Sequence, residues 1–86
     1  MEHDLILARS VTYAQRMQKA LMRAGIRCGV FRAPRELTER GCAYVVKVAA
    51  YDLAPALTAL YGASLQPLQI FHFSEGRYQE VRRDLF

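Results

Sequence analysis

The chain has 86 residues, of which 52% are apolar and 23% charged, with a formal net charge of +4. That is material for one small domain with a real core, but not for a core plus a separate cofactor-binding lobe. No apolar run approaches the roughly 20 residues that cross a bilayer, and the acidic start Met1-Glu2-His3-Asp4 is unlike a basic secretory signal, so the expected location is the cytoplasm. Two cysteines are too few for a disulfide framework, and intracellular thiols are normally kept reduced.

Residues 5–8, Leu-Ile-Leu-Ala, are a short apolar run of the length expected for a strand buried on both faces. Thr12 and Gln15 then stand at the spacing of a capping box. Ala14, Met17, Leu21 and Ala24 recur at three and four residues, the period of one helix face, and Gly25 sits where a left-handed cap belongs. Arg16, Lys19 and Arg23 mark the opposite face of that helix. They read as a solvated face or as a docking stripe for an acidic partner. A second strand is expected over 26–31, with Cys28 and Val30 on one face and Gly29 and Phe31 on the other. A polar turn over 32–41 follows, and a third strand over 43–48, rich in β-branched residues. These two strands should pair antiparallel across a connection longer than a tight hairpin needs, and long connections tend to be functional. Asp52 is placed to cap a second helix, with Pro55 in its first turn, Leu53, Leu57 and Leu60 as its stripe and Gly62 at its end. A fourth strand is expected over 68–73, a turn at Ser74-Glu75-Gly76, and then a charged stretch that adds a short element or frays.

The order is strand, helix, strand, strand, helix, strand. Two interleaved βαβ-type units of this kind give an α+β, ferredoxin-like βαββαβ sandwich, a four-stranded antiparallel sheet with both helices on one face. A single domain over 1–86 is expected, its core at about 4–74 and a charged C-terminal tail at 75–86. Such a fold hosts unrelated functions and decides none of them.

The chemistry is expected at 34–46, where a proline-led charged turn runs through Gly41 and Cys42 into a strand. Cysteine acts as a nucleophile through its thiolate, and an unperturbed thiol has a pKa of about 8.5. Arg35 and Arg40 would favour the anion if the turn brings them near Cys42, while Glu36 and Glu39 would oppose them. Gly41 leaves the thiol open to approach. Cys28, inside an expected strand, reads instead as a packed hydrophobe. In a hairpin centred near Leu37, Cys28 would face Val46 and Cys42 would face Arg32. The two residues would then stand on the order of 13 Å apart, beyond the Cα separation of about 7 Å that a disulfide allows.

His3, His72, Cys28 and Cys42 have no zinc-type spacing, so no metal is expected. His72, in an apolar strand, reads as a hydrogen-bonded core or edge residue. No phosphate loop, serine-centred nucleophile or paired carboxylates point to another cofactor or reaction. Nine of the twelve Lys and Arg fall within residues 1–50, and Phe31, Tyr44, Phe71 and Phe73 sit on expected strands, as on a base-stacking sheet. The glycine–aromatic signature of an RNA-reading strand is absent, however, so nucleic acid is the least favoured partner.

At Pro34-Arg35-Glu36-Leu37 followed by Gly41-Cys42-Ala43, the chain resembles a small bacterial family of selenium/sulfur carrier-like proteins, formerly a domain of unknown function. The likeness extends to the opening apolar strand and to a helix over 12–24 ending in Ala24-Gly25-Ile26. Members commonly have Cys then Gly, where this chain has Gly41 then Cys42. The resemblance implies a carrier rather than a stand-alone enzyme. Cys42 would accept sulfur or selenium as a persulfide or selenopersulfide and relay it to a partner. A donor such as a cysteine desulfurase would dock on Arg16, Lys19 and Arg23. The rival reading is a non-catalytic interaction module or a homodimer pairing strand edges, with Cys42 merely packed.

Overall fold

The computed structural model of the chain describes residues 2–37 and 43–81. Among these, two helices and five antiparallel strands make an α+β fold. β1 (His3–Ala8) is central, between β3 (Tyr44–Ala49) and β4 (Gln69–Ser74). β2 (Gly29–Arg32) and β5 (Arg77–Val81) form the edges, in the order β2-β3-β1-β4-β5. This position explains the unbroken apolar run of β1. Leu5 and Leu7 face one layer, Ile6 and Ala8 the other, and both sets are buried.

Helices α1 (Val11–Arg23) and α2 (Leu53–Gly62) pack on the same face of the sheet. Met17, Leu21, Leu57 and Leu60 close there over Ile6, Val46, Val48 and Ile70. Among the described residues, the opposite face has no α-helix. Its Leu5, Leu7 and Val45 are covered by Ala33 and Leu37 from the β2–β3 connection, with Phe71 and Tyr78 packed alongside.

Five strands replace the expected four. β5 lies within the stretch read as a tail, pairing with β4 through a two-residue turn in which Glu75 (φ 54) and Gly76 (φ 76) are both left-handed. That is the twist a tight hairpin favours. A charged edge strand has little apolar alternation to betray it. Residues 82–86 lie outside the described residues.

Helix boundaries moved for identifiable reasons. α1 is capped by Ser10, whose Oγ accepts from the Tyr13 N–H at 3.1 Å, and not by the Thr12–Gln15 pair. Its end is as expected: Gly25 has φ 78, and the Ile26 N–H donates to the Leu21 carbonyl at 2.9 Å. That bond ties Ile26 to the helix, so the second strand starts at Gly29 rather than at 26. The hairpin register shifts with it: Val30, not Cys28, faces Val46, and Tyr44 faces Arg32. A 3-10 turn, Ala50–Asp52, precedes α2, and the Asp52 side chain makes no capping hydrogen bond. α2 stops on the same six-to-one pattern as α1, with the Leu65 N–H donating to the Leu60 carbonyl at 2.9 Å. The left-handed residue there is Ser64 (φ 59), and not Gly62.

Candidate functional site

The β2–β3 connection is built from its two ends. Its base is closed by the Ala33 N–H, which donates to the Ala43 carbonyl at 2.9 Å. Pro34 then starts a 3-10 turn, Arg35–Leu37, in which the Leu37 N–H donates to the Pro34 carbonyl at 3.0 Å. Proline fixes the backbone that such a turn needs and has no N–H to leave unsatisfied. Ala33 and Leu37 are buried against Leu5, Leu7 and Val45, so the connection is anchored on the helix-free face. Arg35 and Glu36 project from the turn into solvent. Arg40, Gly41 and Cys42 lie outside the described residues, so of the expected thiol site the structure places Arg35 alone.

Arg16, Lys19 and Arg23 are all exposed on α1, as their spacing requires. Arg16 shares the Tyr13 ring with Arg9, their guanidinium carbons standing 5.9 Å and 4.5 Å from its centre. The stripe and the loop anchor sit on opposite layers, because α1 packs on the helix face and Leu37 on the other. They are not brought together. α1 does lie over β2 and β3, the half of the sheet that the connection closes.

Cys28 immediately precedes β2 and packs half-buried against the main core. Its thiol points at the Gln18 carbonyl at 3.8 Å. The thiol also borders a cleft of about 350 Å³ shared with Arg27, Phe31 and Lys47. Burial nonetheless pushes its pKa above the ordinary value, which leaves less thiolate and works against an acceptor role. Among the described residues, no group of three His, Cys, Asp or Glu could hold a metal ion.

Sequence reasoning did not anticipate a polar cluster on β1 and β4. Asp4, only 2% exposed, is the buried charged residue of the core, and its carboxylate meets His72 Nδ1 at 2.5 Å. His72 Nε2 lies 3.5 Å from Glu2, and the Ser74 hydroxyl donates to Glu2 at 2.9 Å. The available signal was register: the antiparallel pairing sets Asp4 opposite His72. A serine nucleophile would have to donate to the imidazole, and Ser74 donates to Glu2 instead. The cluster is therefore not arranged as a serine nucleophile. His72 is the hydrogen-bonded strand residue that its apolar setting implied.

A family model described as "Putative Se/S carrier protein-like" matches residues 4–72, from the start of β1 into β4 and across the whole connection. The chain belongs to this family. No curated protein and no solved structure matches it. No helix among the described residues is long and apolar enough to cross a membrane.

Proposed function

We propose that this member of the Se/S carrier-like family carries sulfur or selenium on Cys42. The observation that carries the reading is the family match over 4–72, which spans Cys42. An anchored loop base supports it: Ala33 and Leu37 are buried while Arg35 beside them is exposed. The Cys42 thiolate would attack the terminal sulfur of a donor persulfide, R–S–SH. A new S–S bond forms to Cys42, the donor's S–S bond breaks, and RS⁻ leaves, with no net oxidation. Arg35 and Arg40 favour the attacking thiolate, against Glu36 and Glu39, and Gly41 leaves the approach open.

In this reading Arg16, Lys19 and Arg23 dock an acidic donor of the cysteine desulfurase kind. The domain measures only 30 × 25 × 23 Å, so an enzyme of ordinary size can grip α1 and still reach the β2–β3 end. The scaffold is read as the ferredoxin-like sandwich of the interleaved units, with β5 added beside β4.

Intact-mass measurement after incubation with a cysteine desulfurase and cysteine tests the proposal. The expected result is a gain of one sulfur atom that disappears with reductant and is absent from Cys42→Ser. An unchanged mass, under conditions that load an established carrier, would overturn it.

A further inference from the structure

The helix-free face of the sheet holds a groove of about 260 Å³ beside the loop anchor. Leu5 and Val45 form its floor, Phe31 of β2 and Tyr78 of β5 its walls, and Arg32, Lys47 and Pro34 part of its rim. Phe31 is 54% exposed, a large apolar ring left open on an edge strand. Lys47 Nζ stands 6.0 Å from the centre of that ring. Tyr78 is held in place by its neighbours: Phe73 packs on it with ring centres 4.8 Å apart and in turn stacks on His3 at 4.8 Å. No carboxylate among the described residues lines the groove. Among the described residues, neither Arg32 nor Lys47 enters an ion pair.

We propose that this groove binds single-stranded nucleic acid, with bases stacking on Phe31 and Tyr78 while Lys47 and Arg32 meet phosphates. An exposed ring, Phe31, and a half-buried one, Tyr78, beside cations that enter no ion pair among the described residues complement a polyanion that carries flat rings of its own. An acidic peptide would satisfy the cations and leave the rings unused. A second copy related by a two-fold axis would set Lys47 and Arg32 against the same basic groove, where no described residue offers an acid to meet them. The missing glycine–aromatic signature made this partner the least favoured from sequence, but stacking needs only the rings, and two edge strands supply them here. Because Pro34 is on the rim, bound nucleic acid would lie next to the anchored start of the β2–β3 connection.

Fluorescence anisotropy with a labelled oligouridylate, titrated with the full chain at several salt concentrations, tests the proposal. Two phosphate contacts predict a log–log salt slope of about −1.4, and Lys47→Gln should reduce its magnitude by about 0.7. Phe31→Ala should weaken binding about tenfold or more. As Phe31 is exposed, that variant should keep its fold, which a thermal melt checks. Exchanging Arg16, Lys19 and Arg23 together for Gln should leave affinity unchanged, as should Cys42→Ser, which ends sulfur loading in the earlier test. The two readings therefore fail separately. Absent binding at about 50 mM salt would overturn the inference. So would loss of binding in the α1 variant with Phe31→Ala unaffected, or equal affinity for a poly-glutamate probe.

Discussion

Replacing His72 by alanine perturbs the buried polar contact at the centre of the sheet. The Asp4 side chain is 3% exposed and its partner is His72 Nδ1 at 2.5 Å. Without the imidazole, a carboxylate would remain between β1 and β4 with no partner and little water. Breaking a buried pair from one side typically costs about 3–5 kcal/mol. His72 is itself 29% exposed, so water enters part of the vacated space and lowers the cost to about 2–3 kcal/mol, below that range. A domain of this size has a total stability of roughly 4–13 kcal/mol, so the loss is a large share, equivalent to about 10–20 °C in Tm. Replacing both partners, Asp4→Leu with His72→Leu, removes the orphaned charge and should recover most of that loss, because the apolar pair leaves nothing unsatisfied. Glu2→Gln should cost less than about 0.5 kcal/mol, since Glu2 is 61% exposed and stands 3.5 Å from the ring. Urea unfolding followed by circular dichroism gives each value from the midpoint at constant slope. A His72→Ala loss below about 0.5 kcal/mol, or a double variant whose cost is the plain sum of the two single ones, would refute the reasoning.

Three further outcomes are expected. Ser64→Gly should raise stability by about 0.5 kcal/mol, since Ser64 holds φ 59 at the end of α2 where glycine carries no Cβ penalty; an unchanged or lowered unfolding midpoint would count against that. Leu37→Ala should cost about 2 kcal/mol by urea unfolding, the low end for a buried leucine at the rim of a core, and should slow sulfur loading in the mass assay. The Cys28 thiol, held above its ordinary value by burial, contributes stability that is fully present below the ordinary thiol pKa and lost as pH rises through the higher folded value. In a Cys42→Ser background, the midpoint of iodoacetamide alkylation against pH should lie higher for the folded chain than for the same chain in urea.

Local signals were legible where one residue decides the backbone. Gly25 ended α1 as read, because its left-handed φ closes the hydrogen bonds to Met22 and Leu21. α2 also ends at Gly62 as read, but there the left-handed residue is Ser64, two positions further on. A tertiary demand, the burial of Leu65 against the core, fixes the stopping point there. Whether the charged stretch after Gly76 forms a strand stayed undecided from sequence because an edge strand is specified by its partner's backbone rather than by its own alternation. The Asp4–His72 contact needed the β1–β4 register, which no local pattern encodes across 68 residues. The length of the β2–β3 connection was readable, but its seating on the helix-free face was not. That depended on Leu37 packing onto Leu5, Leu7 and Val45 from a different part of the chain.

The family match ends at residue 72, inside β4, whereas the hairpin that follows brings Tyr78 to the helix-free face. The β2–β3 connection lies wholly within the match, whereas the groove, though it shares Pro34 with that connection, reaches beyond the match. Leu37 and Ala33 seat the loop from within the matched region, while one wall of the groove comes from beyond it. A Tyr78→Ala substitution should therefore weaken oligouridylate binding by about as much as Phe31→Ala and leave the sulfur gained on Cys42 unchanged. Equal loss of both would mean that Tyr78 acts by holding the open face together, since it packs beside Leu5, Leu7 and Leu37 in the same cluster. Tyr78→Phe separates the cases: it keeps the ring and the packing, so binding by stacking should survive it.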